Sequence, residues 1–196
     1  MESKIVIYII TTIVALSGWI TLLYNWFTST PKIKGKILNI MTGEWHTPQF
    51  RTPKTSLFVY LYLTNKRKNP VHILDYELEF DISNGYEKAL RVYGTQNIDQ
   101  PSFHSDIQEI TIPDFKNKVI YSKNNPIEYG IPLHGFALFA TDKPHSDLIN
   151  KIKKLKITCT DAFGVNHIIK AKPKNFTNLY LLQDIAGINI KQKTTS

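Results

Sequence analysis

One cysteine, Cys159, is all the chain offers for thiol chemistry. No internal disulfide can form, which fits a reducing compartment. The 196 residues contain no internal repeat and no low-complexity stretch. The histidines, at 46, 72, 104, 134, 145 and 167, are scattered, and none stands in a His-x-His or His-Glu-x-x-His pattern. There is no Cys-x-x-Cys pair, Walker loop, Gly-x-Ser-x-Gly elbow, dinucleotide fingerprint or Asp-x-Asn-x-Asn-Gly calcium loop. These absences leave an enzyme, a metal centre or a cofactor without support, and the chain reads as non-enzymatic. The most informative absence is of charge: none occurs from Ile5 to Phe27.

That run reads IVIYIITTIVALSGWITLLYNWF, with Lys4 before it and Lys32 after it. The hydrocarbon core of a bilayer is about 30 Å thick and takes roughly 20 helical residues to cross. The sequence therefore predicts a single-pass transmembrane helix, with residues 1–30 as the anchor. A cleaved signal would have an apolar stretch of ~7–15 residues and a small-residue cleavage site. Here the run is longer and ends in bulky residues. A buried core helix would show a polar edge, whereas this segment is apolar all round. Gly18 faces Val14 and Leu22 at four-residue spacing, so it lies in no small-xxx-small motif. The Thr and Ser hydroxyls can bond back to the helix backbone. Tyr8, Trp19, Tyr24 and Trp26 are the expected anchor and interface aromatics. Pro31 disfavours a helical residue before it.

Charge sets the expected side. Lys32, Lys34 and Lys36, followed by Arg51 and Lys54, outnumber Lys4 and the α-amine. The basic excess places the C-terminal domain in the cytoplasm of a cell membrane protein. The net charge is +8, and Glu2 and Lys4 cancel, so the excess sits beyond the anchor. Basic charge beside an anchor points to anionic headgroups. No nucleic-acid-binding signature accompanies it. With 12% aromatic and 42% hydrophobic residues, the remainder is a folded domain and not a disordered tail.

After Pro31 the hydrophobic period is near two. Lys32, Lys34 and Lys36 share one face of a strand, and Ile33 and Ile37 the other. In Leu57–Leu63 both faces are apolar, which predicts a central strand. In Val71–Ile82, Leu74, Tyr76, Leu78, Phe80 and Ile82 point one way and Asp75, Glu77, Glu79 and Asp81 the other. Asn84-Gly85 marks a hairpin turn before a short strand at Ala89–Tyr93. Further strands are expected around Ile107–Ile112, Lys118–Tyr121, Gly135–Thr141, Leu155–Thr160 and Val165–Lys172. Asp147–Lys154 suits a brief helical turn. Leu179, Leu182, Ile185 and Ala186 recur at helical spacing, with Gly187 as cap.

Many short strands with turns between them predict an all-β domain, an antiparallel β-sandwich over residues 31–175. A short C-terminal helix and tail would occupy 176–196. The layout resembles immunoglobulin-like domains held to a membrane by one helix. The Cys…Trp…Cys signature of antibody domains is absent, and Trp45 falls in an expected loop.

Candidate sites are few. With a four-residue loop at Asp161–Gly164, Thr158 faces His167, so Cys159 and His167 fall on opposite faces and form no nucleophile–base pair. The acidic stripe at 75, 77, 79 and 81 has ~7 Å between alternate residues and reads as the wet face of a strand, open to neutralisation by a lysine-rich neighbour. Lys32, Lys34 and Lys36 are the leading functional patch, each worth about 1 kcal/mol at an anionic leaflet. Trp45, Lys66, Arg67 and Lys68 are candidate partner contacts, and Phe50 and Phe103 are further loop aromatics. The expected function is a membrane-anchored binding or scaffolding protein whose sandwich engages a protein partner. The alternative is a sensor whose β domain binds a small ligand and whose helices form a homo-oligomer through Thr11, Thr12, Ser17, Thr21 and Asn25.

Overall fold

The computed structural model describes the backbone of residues 2–45, 54–83, 85–93, 98, 100–104, 108–121, 125–148 and 151–192. Side chains are described for all of these except 2–10, 27–29, 44, 45, 103, 104 and 108. Helix α1 spans Glu2–Ser29. The strands are β1 (Ile33–Trp45), β2 (Lys54–Asn65), β3 (Ile73–Asp81), β4 (Tyr86–Arg91), β5 (Ser102–His104), β6 (Gln108–Thr111), β7 (Leu133–Thr141), β8 (Lys154–Asp161), β9 (Asn166–Ala171) and β10 (Asn189–Gln192). Short helices α2 (Phe115–Lys118), α3 (His145–Leu148) and α4 (Leu179–Ala186) lie between them.

The domain is mostly β and its strand pairs are antiparallel, as the alternation predicts. Seven strands form one sheet in the order β1-β2-β7-β4-β3-β8-β9, which curls into a near-barrel. A smaller sheet, β10-β6-β5, accompanies it. So the two layers are a curled main sheet and a small partner, where the sequence reading expected an immunoglobulin-like sandwich.

β2 is interior, as its two apolar faces require. Leu57, Val59, Leu61 and Leu63 point into the cluster enclosed by the curled sheet, with Leu78, Phe80, Phe139, Leu155 and Ile157. Phe58 and Tyr60 point into a second cluster with Phe115, Phe136, Leu138, Leu182 and Ile188. That second layer covers the outside of β2 and β7. Burying each such side chain contributes about 1.5–3 kcal/mol.

The ends of the strand order, β1 and β9, lie side by side. Gly35 permits the approach, since a Cβ there would stand 2.5 Å from Ile169 Cδ1. Beside it, the backbone N–H of Ile33 donates to His167 Nδ1 at 3.4 Å.

Four expectations change. Leu74 is exposed, because a register shift between Ile73 and Asp75 breaks the alternation there. Five residues, not four, separate the paired Thr160 and Asn166: Asp161 N–H donates to Val165 O, and Cys159 pairs with His167. Cys159 and His167 therefore share a face. Lys118–Tyr121 forms no strand; α2 ends there, and Val119 makes a single bridge to Phe136. After Gly187, which caps α4 with a left-handed φ of 59°, the chain adds strand β10 against β6.

The transmembrane expectation finds no support in the described residues. Among the described residues no helix is long and apolar enough to cross a membrane. α1 carries no charge from Ile5 to Phe27 but is not apolar throughout. It includes Thr11, Thr12, Ser17, Gly18, Thr21 and Asn25, which lower its hydropathy.

Candidate functional site

The two basic stretches that the sequence keeps 30 residues apart meet in the fold. β1 and β2 are antiparallel neighbours, so the start of β1 and the end of β2 share one end of the sheet. Lys66 N–H donates to Lys32 O at 2.9 Å and joins the two segments. Lys32, Lys34 and Lys36 are exposed, on the face opposite buried Ile33 and Ile37, as expected.

The turn that follows β2 is built on Asn65, which is fully buried. Its Nδ2 donates to Asn69 O at 2.7 Å and to Ile127 O at 3.0 Å. Its Oδ1 accepts from Arg67 N–H at 2.9 Å, the side-chain turn that Asn favours two residues ahead. Lys66, Arg67 and Lys68 are thus carried on a fixed backbone. A cleft of about 370 Å³ opens between this turn, Tyr129 and the end of α1, where Tyr24 and Asn25 complete the wall. Among the described residues Arg67 Nε is buried without a hydrogen-bond partner.

Several cations elsewhere on the sheet are paired. The acidic stripe of β3 meets β4 and β8: Asp75 with Arg91 at 2.7 Å, Glu77 with Lys88 at 3.7 Å, Glu79 with Lys156 at 2.6 Å and Asp81 with Lys154 at 3.7 Å. Lys143 pairs with Glu87 and Lys54 with Asp142. Among the described residues no ion pair engages Lys32, Lys34, Lys36, Lys66, Arg67 or Lys68. These six cations thus gather at the end of the sheet where α1 arrives.

A second cleft, of about 500 Å³, lies beside α2 and α4. Tyr60 and His134 share a hydrogen bond of 2.8 Å at its wall. Burial raises the Tyr60 hydroxyl to about 12. Lys118 donates to Gly187 O at 2.7 Å, and burial lowers its ammonium below the ordinary value.

The remaining expected residues are dispersed. Trp19, Tyr24 and Trp26 are exposed on α1; Tyr8 lies on the same helix, its side chain outside the described residues. Trp45 ends β1 rather than sitting in a loop, and its side chain, with that of Phe103, is likewise outside. Phe50 is outside altogether. Cys159 and His167 face each other but form no catalytic pair. Both ring nitrogens of His167 are engaged: Nδ1 accepts from Ile33 N–H, and Nε2–H donates to Asp161 Oδ2 at 2.8 Å. Burial first, and the Asp75 carboxylate second, push the Cys159 thiol up to about 12, the wrong direction for a nucleophile. Among the described residues no group of His, Cys, Asp or Glu is placed to hold a metal ion.

Sequence reasoning missed Asn65 and Tyr129 in the basic cleft. The signal was present for Asn65, an Asx-turn residue directly before Lys66-Arg67-Lys68.

No protein-family model matches the chain, and no curated protein matches it. Among solved structures it is similar to ycdA of Bacillus subtilis, described as a "putative lipoprotein", at 14% identity and a TM-score of 0.42. The match covers 74% of this chain and 39% of the other. A likeness at that level assigns neither fold nor function.

Proposed function

We propose that α1 holds the β domain on a membrane and that the domain serves there as a non-enzymatic binding module for a protein partner. The observation that carries the membrane half is the exposure of every described side chain of α1, Ile13, Leu16, Trp19, Ile20 and Leu23 among them. A row of large apolar groups that the β domain leaves uncovered finds its cover in lipid. The uncharged run from Ile5 to Phe27 matches the thickness of a hydrocarbon layer. The polar residues within it suit that setting: Ser17 donates to Val14 O at 2.7 Å and Thr21 to Ser17 O at 2.9 Å, so neither hydroxyl stays unsatisfied. The basic excess beyond the helix favours the cytoplasmic side.

The partner half draws support from the β8–β9 loop and the start of β3, beside the β2–β3 turn. Phe163, at the tip of the β8–β9 loop, is 72% exposed, and the register shift in β3 turns Leu74 outward. Ala162 N–H donates to His72 O at 2.9 Å and holds the two segments together. Apolar side chains fixed on a rigid edge suit a protein contact.

Washing membranes that hold the full-length chain with about 1 M salt tests the attachment. At that strength the Debye length is about 3 Å and purely ionic binding is lost. The protein stays with the membrane and leaves only with detergent. Release by salt alone contradicts an embedded helix. Protease access to the β domain from outside intact cells contradicts the cytoplasmic side.

A second reading, small-ligand binding, is favoured by the cleft of about 500 Å³ lined by Tyr60, Lys118 and His134. A ligand there raises the thermal midpoint of the wild type and not of His134→Ala.

A further inference from the structure

We propose that the cleft between the end of α1 and the β2–β3 turn is a specific site for the phosphate of an anionic lipid headgroup. This inference rests on the membrane reading above and goes further, from a diffuse basic patch to a built site. Three successive basic residues, Lys66, Arg67 and Lys68, project from a turn whose backbone Asn65 fixes through three hydrogen bonds. Tyr24, Asn25 and Tyr129 supply the other walls, and among the described residues no carboxylate lines the cleft. Among the described residues Arg67 Nε is buried without a hydrogen-bond partner, so the guanidinium keeps a donor still to be satisfied. A donor left in that state costs stability, so a ligand that accepts from it gains affinity. The guanidinium fork matches phosphate geometry, and a compact cleft lets Lys66 and Lys68 contribute as point charges.

Position selects the source of the phosphate. The cleft begins at Tyr24 and Asn25, near the end of the uncharged run, which is headgroup depth for a helix embedded over 5–27. Lys32, Lys34 and Lys36 flank it and raise the local concentration of anionic lipid. The competing structural role is plain: cations near a helix C-terminus stabilise its dipole. One carbonyl of that helix end is already satisfied, since the Thr30 hydroxyl and N–H both donate to Trp26 O, at 2.7 and 3.2 Å.

The test is a titration of the full-length protein in a neutral detergent, followed by native mass spectrometry. The probes are short-chain phosphatidylglycerol, short-chain phosphatidylcholine and inorganic phosphate. The wild type retains one phosphatidylglycerol in preference to phosphatidylcholine, and inorganic phosphate competes poorly. Arg67→Gln weakens that retention about tenfold or more, Arg67→Lys falls between, and Lys34→Gln changes it less than about threefold. Lys66→Gln provides a second variant if Arg67→Gln folds badly, and it also weakens binding. Equal retention of both lipids overturns the proposal, as does inorganic phosphate binding as tightly as the lipid. So does a lowered thermal midpoint in Arg67→Gln with lipid retention unchanged, which assigns the cations to the helix end alone. The two readings fail separately. Release of the protein by salt with lipid selectivity intact sinks the embedded helix and spares the site; firm attachment without selectivity does the reverse.

Discussion

Asp161 holds together the least regular corner of the barrel. Its Oδ1 accepts from Phe163 N–H at 2.8 Å and Val165 N–H at 2.9 Å, and its Oδ2 meets His167. Removing the carboxylate leaves two part-buried backbone donors and a buried imidazole donor without partners. Asp161→Ala therefore destabilises the fold by about 3–5 kcal/mol, read as a lowered urea midpoint. A drop below about 1 kcal/mol would mean that the loop does not depend on it. The buried acids of the core set the alkaline limit. Burial raises Cys159, Tyr60 and Tyr121 to about 12, and raises Tyr76 as well. Their ordinary values are 9.0 for the thiol and 10.0 for the phenols. The unfolded chain loses these protons first, so stability is full below about pH 9 and declines as pH rises toward about 12. Thermal midpoints measured between those values fall steadily; a flat profile contradicts the burial of these groups. Cys159 itself stays unreactive toward thiol reagents until the protein unfolds.

Elements were legible in proportion to the regularity of their pattern. The two apolar faces of Leu57–Leu63 required an interior strand, and β2 lies between β1 and β7. The acidic and apolar alternation of Tyr76–Asp81 matches β3, and the expected neutralisation of its acidic face comes from Lys88 and Arg91 on one side and Lys154 and Lys156 on the other. The spacing over 179–186 gave α4 and its glycine cap. What stayed hidden was register. A one-residue shift at Leu74 and one extra residue in the 161–165 loop each move side chains to the other face, and no local composition announces them. The curl of the main sheet was hidden for a related reason: closure depends on Gly35 and His167, residues that nothing in their neighbourhood marks as a seam. The basic cleft was half legible. Each lysine cluster stood out, but only the β1–β2 pairing brings them together. The shift at Leu74 has a direct consequence. Leu74→Lys changes stability by no more than about 0.5 kcal/mol, whereas Leu78→Ala, four residues along the same strand, costs about 2–5 kcal/mol. Comparable losses at the two positions in chemical denaturation would restore the unbroken alternation.

Considered whole, the molecule is electrostatically and chemically polar. The β3 flank is neutralised by ion pairs, while the α1 end carries unpaired lysines and an arginine beside an uncovered apolar helix. Neither feature alone requires a membrane. Together they give a hydrophobic stem with a positive collar, the arrangement that an anionic bilayer surface holds at lowest free energy. Trp19 is the natural reporter of that arrangement, since it lies inside the uncharged run from Ile5 to Phe27 and away from both of its ends. With Trp26→Phe and Trp45→Phe leaving Trp19 as the sole indole, its fluorescence is read in vesicles whose acyl chains are brominated. We expect strong quenching by the brominated chains and protection from aqueous iodide. Free access of iodide to Trp19, with no response to the brominated lipid, would show that the stem never enters the bilayer.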